Sequence, residues 1–416
     1  MAATTPQLIA HLLRRTTFGP FPGQVEGLAH LGVAGAIDAV IDRPALRTHD
    51  TPDLTNDSSD APVKWWLGKM ADPAAGVHEK LTWFLHGTVT VSHSKVFWWD
   101  VEWPAHLLLR KYALGSYRSL LKKMTITPAM LLYLDGSWST VQGPNENYAR
   151  ELQELFSIGQ KNVTQTNVSN GALALAGWYV DWDTASAIFT DERWASLGSN
   201  QKVPFLGKHV YRYDEVVDAV CDHHAMPGFI AAKLWYYLVG VTPSKAKVRS
   251  LAATYRASGL NNKALVKAIL HDPMFLQKRS ARPRYPVEWV LAATAAMGLA
   301  ADRQLAVDQL WGMGQLPFYP PNVAGWPTGD GWVSPAMALA KAALAVESKA
   351  IQAVVNASDP VAAALTRCSI FEVSNQTRAA LNTARNHITG TSLAARQHRA
   401  TVLLALCLSS PEFALA

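Results

Sequence analysis

Residues 144–159 read PNENYARELQELFSIG, a run that carries three carboxylates, an arginine and two asparagines in helix-like spacing. The pattern predicts a helix from near Asn145 to Gly159, with the glycine suited to the residue that ends it. At about 100° per residue, Tyr148, Leu152, Leu155 and Phe156 share an apolar stripe, and Glu146, Arg150, Gln153 and Ser157 lie opposite. Asn147, Glu151 and Glu154 fall on one edge of the stripe. Arg150 can pair with Glu146 and Glu154, each four residues away. Two readings are open: an amphipathic helix with acidic residues near its positive end, or a helix that turns Glu151, Asn147 and Glu154 into a polar pocket. The wide stripe predicts a central, largely buried helix. A buried carboxylate needs a partner, so Arg150, or an arginine from another helix such as Arg14 or Arg15, is expected beside Glu151.

The same periodicity continues on both sides. PQLIAHLLRRTTFG, VEGLAHLGVAGAIDAVID, LLLRKYALGSYRSLLKKM, PGFIAAKLWYYLVG, PVEWVLAATAAMGLA and AARQHRATVLLALCL all read as helices. Strand-like alternation is sparse. The expected fold is mostly α: one large helical domain over residues 1–416, with long ordered loops and at most one or two short hairpins near Tyr179 to Phe205. Residues 184–208, rich in Ser, Gly, Asn and charge, read as a surface loop or insertion about which the domain is bilobed. KAILHDPMF (267–275) and ALCLSSPEF (405–413), with KMTITPAML (123–131) as a weaker echo, are aliphatic helix ends running into a polar–Pro stop. In the first two, the closing Phe is expected to fold back onto the core.

Of the 416 residues, 49% are hydrophobic and 17% charged, which marks a globular chain with a large core. The net charge is +6, but the basic residues are scattered and form no block; no nucleic-acid partner is expected. No apolar run reaches the roughly 18 residues of a membrane span. The first residues lack the charged and apolar regions of a signal peptide, so the sequence by itself reads as cytoplasmic. Cys221, Cys368 and Cys407 are far apart and read as core residues rather than a metal knuckle or disulfide framework.

Four further segments carry candidate chemistry. In HEKLTWFLHGTVTVSH (78–93), a continuous helix would place Glu79, Trp83, His86, Thr90 and His93 on one side. Glu79 and His86 lie roughly 10.5 Å apart along such an axis, too far to share one metal ion, and the β-branched run from Thr88 weakens the helix beyond His86. LPFYPPNVAGWPTGDGW (316–332) is a loop stiffened by prolines and turned by glycines, presenting Asn322, Trp326, Asp330 and Trp332. Trp326 is either an aromatic pocket wall or a core plug. CDHHAMPGF (221–229) offers adjacent histidines that point in different directions. AGWYVDWD (176–183) sets Trp178 and Trp182 beside Asp181 and Asp183, a composition that suits a sugar cleft. No dinucleotide, P-loop, zincin or nucleophile-elbow motif appears.

Together HLLRRTTFGP, EKLTWFLHG, MLLYLDG, PNENYARELQELFSIG, the ALAGW run ending at Trp178, FLGK, PPNVAGWP and SPEF resemble the DUF1800 family of bacterial proteins of unknown function, in the family's order and over nearly the whole chain. Relatives often read Trp-His-x-His-Phe where this chain has Leu85-His86-Gly87-Thr88-Val89, and often carry a His-Asp pair before the FLGK segment that is missing here. If those histidines hold a metal in relatives, this chain lacks part of the ligand set. The resemblance also implies a partner, because relatives are often exported and encoded beside a twin-arginine-exported protein of sulfatase-like fold; this chain would travel as its passenger.

The resulting expectation is an enzyme or cofactor-binding protein with a cleft of carboxylates, His and Trp, holding a divalent metal if it is metal-dependent. Glu151, Glu154, His86 and Glu79 are the candidate catalytic groups. Asn145, Asn147, Arg150, Trp178, Asp181, Asn322 and Trp326 are the candidate ligand contacts. The rival readings are a non-catalytic binding or assembly module and a glycoside-cleaving hydrolase with paired carboxylates.

Overall fold

A computed structural model describes residues 3–47, 50–190 and 202–416. Among them the chain forms 24 helices and two small antiparallel hairpins, the mostly α fold that the periodicity predicts. The helices are short, from the 4 residues of His93–Val96 to the 16 of Leu393–Leu408. Helices of this length are marginal alone, so tertiary packing must hold them. One continuous apolar cluster runs from Ile9 to Phe413. No described helix is long and apolar enough to cross a membrane. All three cysteines are buried and unbonded.

Helix starts follow a local rule. In Thr127-Pro128, Asp272-Pro273, Ser334-Pro335, Asp359-Pro360 and Ser410-Pro411, the polar side chain accepts a hydrogen bond from a backbone N–H of the first turn. The proline fills a position whose N–H needs no partner. Three of these are the echo motifs: a long helix ends, the cap restarts the chain, and Phe275, Phe413 or Met130 drops into the core.

Helix Asn147–Glu154 is shorter than expected. Asn145 stands outside it, its side-chain oxygen accepting from the N–H of Asn147 in a tight turn. At the other end Ile158 and Gly159 both donate to the carbonyl of Gln153. Gly159 has φ +81°, and a Cβ there would press within 2.8 Å of the Phe229 ring, so the glycine is required by conformation and by space.

The hairpins lie where the alternation suggests. β1 (Trp178–Asp181) pairs with β2 (Ser186–Phe189), and β3 (Val203–Phe205) with β4 (Lys208–Val210). The expected surface loop 184–208 is therefore strand at both ends, because Ala187, Ile188 and Phe205 supply pairing and packing positions; residues 191–201 lie outside the described part.

All ten residues of helix Val77–His86 are buried, and the stiff 316–332 loop lies along it. The N–H of Phe318 donates to His86 Nε2 (3.1 Å), and the N–H of His93 donates to the carbonyl of Phe318 (2.8 Å). Gly325, at φ +81°, approaches so closely that a Cβ would stand 2.4 Å from the carbonyl oxygen of Gly87. This loop and this helix form the frame of the candidate site.

Candidate functional site

Helix Val77–His86 takes five polar residues into the core, and each has a structural task or a partner. Glu79 accepts from Arg110 Nη1 and from the indole N–H of Trp66 (3.2 Å). His78 Nδ1 stands 3.5 Å from its other oxygen. Burial would push this carboxyl up, but His78 and the Arg110 charge outweigh burial and hold it below the ordinary value. Glu79 is thus an ionised acceptor already engaged, not a free acid or base. Lys80 donates to Glu288 and to the carbonyl of Thr17. Arg282 grips Glu288 from the other side in a two-bond fork of 2.7 and 2.8 Å. Two cations therefore share one fully buried carboxylate. Thr82 Oγ1 donates back to the carbonyl of His78.

His86 is buried among Trp66, Trp83, Phe318 and Trp326. Burial drives its pKa down to about 3. Its Nε2 accepts from a backbone N–H, so it is a neutral imidazole that ties the 316–332 loop to the helix. The helix ends at His86, as the β-branched run suggests. His93 instead starts a short helix, where it bonds Glu102 (2.8 Å) and stacks on Trp99.

Trp326 stacks on Trp83 with ring centroids 4.5 Å apart and planes 16° from parallel. The pair forms one wall of an open cavity of about 160 Å³, completed by Lys233, Tyr236, Tyr237 and Tyr285. No carboxylate lines it. Lys233 Nζ donates to the carbonyl of Leu155 (3.2 Å) and lies 5.3 Å from the Phe229 ring. No ion pair to it exists among the described residues. Burial lowers its pKa to about 8, so an amine that is normally always charged sits close to neutral pH. The indole N–H of Trp326 and the hydroxyl of Tyr237 are buried without a protein partner. The cavity thus offers flat apolar walls, a cation and donors.

The other expected site residues gather elsewhere. Arg150 pairs with Glu146 (2.9 Å) and stands 3.6 Å from Glu154; it does not pair with Glu151. Arg14 and Arg15, expected as alternatives, bond the carbonyls of Ser369 and Ala416. They belong to the first helix, whose buried face packs near the C-terminal segment. Glu151 is half-buried and forms no ion pair among the described residues, and burial, reinforced by Glu154, raises its pKa. Asn147 donates to Asp135 (3.0 Å), and Asp181 accepts from the N–H of Asp183 in the β1–β2 turn. Asn145 and Trp178 border a small void of about 20 Å³. Asn322 caps a turn through the N–H of Ala324. Among the described residues neither of these cavities brings together Glu79 and His86, the Asn145–Glu154 segment, Asp181 and the 320–332 loop, and no group of three His, Cys, Asp or Glu stands close enough to hold a metal ion.

A family model described as a protein of unknown function, DUF1800, matches residues 11–415. The chain belongs to the DUF1800 family. Searches of curated proteins and of solved structures each return no match.

In this DUF1800 chain the sequence pattern pointed to Trp326, His86 and Glu79 but missed their setting. Lys233 carries a faint signal, the one charge inside the apolar helix PGFIAAKLWYYLVG. Glu288 is likewise the one charge in PVEWVLAATAA. A lone charge in an otherwise apolar helix marks a buried ionic site, because exposure would have favoured a polar neighbourhood. Arg110 had no such signal, since it lies at a helix end where a basic residue is ordinary.

Proposed function

We propose that this DUF1800 chain is a ligand- or cofactor-binding protein whose site is the Trp83–Trp326 cavity, and that the ligand is a small planar anion. The observation that carries the reading is Lys233: a half-buried lysine on the wall of an aromatic pocket, with no carboxylate partner among the described residues. A flat ring would lie against the indoles, its negative group would meet Lys233, and the Trp326 N–H would donate to it. Nicotinate and 4-hydroxybenzoate are suitable probes, titrated against the quenching of tryptophan fluorescence. Saturable quenching that weakens at least about tenfold, or about 1.4 kcal/mol, in Lys233→Met supports the reading. Unsaturable quenching by both probes, or equal binding by the variant, refutes it.

The assembly reading draws on a different observation. Phe97, Trp98, Trp138 and Trp182 are exposed large aromatics, and Trp98 and Trp182 meet edge to face at 4.8 Å. Exposed aromatic surface of this kind marks interaction sites. An exported sulfatase-like protein is the partner proposed for it, and Trp98→Ala with Trp182→Ala would then abolish co-purification of the two proteins. The glycoside-cleaving reading has less support. Glu79 is engaged with Arg110, and Glu151 and Glu154 sit three residues apart on one helix, so they cannot flank a glycosidic bond from two sides.

A further inference from the structure

A second cavity draws part of its lining from neighbouring stretches of the same two segments, with Pro283 and Trp332 in place of Tyr285 and Thr328. It measures about 330 Å³, at the lower end of small-molecule sites, and its walls include Trp289, Trp332, Met337, Leu408 and Leu415. Its lining is otherwise uncharged, with a single exception: Lys341. The Lys341 ammonium reaches one acceptor, the backbone carbonyl of Arg284, at 3.4 Å, and lies 5.8 Å from the Trp289 ring. No described carboxylate pairs with it. The indole N–H of Trp289, a fully buried residue, has no acceptor. Two residues of the trough's lining, Lys341 and Trp289, thus carry donors that meet nothing negative among the described residues.

The charge behind the trough points the same way. Arg284 is fully buried, lies over the Phe413 ring at 4.5 Å, and none of its three guanidinium nitrogens has a hydrogen-bond partner. Glu288, the nearby buried acid, is already shared by Lys80 and Arg282. This corner of the core thus carries more positive charge than it neutralises, and unpaired buried charge is costly. An anion in the trough would offset it.

We propose that the trough binds a free aliphatic monocarboxylate: Lys341 and the Trp289 N–H receive the carboxylate, and Trp332, Met337, Leu408 and Leu415 enclose the chain. An apolar tail is favoured because the walls are mostly apolar, Ser334 and Ser409 being the only other polar side chains among the described lining residues, and a single negative charge matches a single lysine. Burial lowers the Lys341 pKa to about 8, and a bound carboxylate would raise it again. The site shares no lining residue with the Trp83–Trp326 cavity, and its test is separable from that one.

The probes are octanoate, octan-1-ol and acetate, titrated calorimetrically into the full chain and into variants whose folding is checked by circular dichroism. Octanoate is expected to bind saturably and at least tenfold more tightly than octan-1-ol, and acetate not to bind. Lys341→Met should reduce octanoate affinity at least tenfold and leave octan-1-ol unchanged. Ala338→Trp, which fills the trough while leaving the lysine in the sequence, should remove both. Lys233→Met should leave octanoate binding intact. The proposal is overturned if wild type shows no saturable octanoate binding, if Lys341→Met binds octanoate as wild type does, or if the Lys233 variant is the one that loses it.

Discussion

Replacing Glu288 with glutamine is the sharpest perturbation of the core. Glu288 accepts from Lys80, from both terminal nitrogens of Arg282, and from the N–H of Tyr285 at 3.0 Å. Glutamine keeps the shape but removes the charge, and its NH₂ group faces donors instead of acceptors. Arg282 is then a buried cation without a counter-charge, and Lys80, whose pKa burial already lowers to about 7, loses the carboxylate that helps it hold its proton. Breaking one buried pair typically costs about 3–5 kcal/mol, and here one substitution breaks two, so Glu288→Gln should lie at or above the top of that range. Lys80→Met is the control. It removes one cation, leaves the Arg282 fork intact, and orphans the carbonyl of Thr17, a loss of about 1–3 kcal/mol. Urea unfolding followed by tryptophan fluorescence should therefore rank Glu288→Gln well below Lys80→Met, and Lys80→Met below wild type. The two cations hold the Glu288 pKa below its unfolded value near 4.5. Its stabilisation is thus present above pH 4.5 and is lost as pH falls from there through the folded pKa. The gap between wild type and Glu288→Gln should narrow below pH 4.5. A Glu288→Gln variant within about 1 kcal/mol of wild type, or a Lys80→Met variant costing as much, would refute the account of this triad.

Trp326→Ala should cost roughly 3–5 kcal/mol of stability, because the indole is buried and stacked on Trp83, whereas Trp326→Phe should keep most of that and isolate the N–H in a binding titration. Gly325→Ala combines an αL penalty of about 1–2 kcal/mol with a clash against the Gly87 carbonyl, so it should lower the melting temperature more than Gly27→Ala, where a Cβ meets nothing within 4 Å. Lys233 titrates near 8 when folded and near 10.5 when unfolded; the unfolded chain binds the extra proton between those values, so stability should rise with pH across that window, and Lys233→Met should show a shallower rise.

The mostly α fold, the polar–Pro stops and a short hairpin from near Tyr179 were legible in the sequence, because each depends on residues within a few positions of one another; the second hairpin begins inside the stretch read as a surface loop and ends beyond it. Thr127, Asp272 and Ser410 cap the turn that immediately follows them whatever the rest of the chain does. The end of the helix at His86 was legible for the same reason, since β-branched crowding is local. The shortening of the 145–159 helix was not, because the space that requires glycine at 159 is set by Phe229, seventy residues away.

The candidate site was legible only as a set of residue types. Trp326 could be read as a pocket wall or a core plug, and the fold makes it both: it is stacked on Trp83 on its buried side and open to a cavity beside Lys233. Glu79 and Glu151 were both candidate catalytic carboxylates on predicted helices. Tertiary packing brought Arg110 to one and left the other without an ion pair, so their pKa values move in opposite directions. Lys80 and Glu288 are separated by 208 residues, and no periodicity connects them. Short-range geometry repeats every turn and leaves its mark in the sequence. A buried charge finds its partner only when distant helices close on each other, and that choice belongs to the packing.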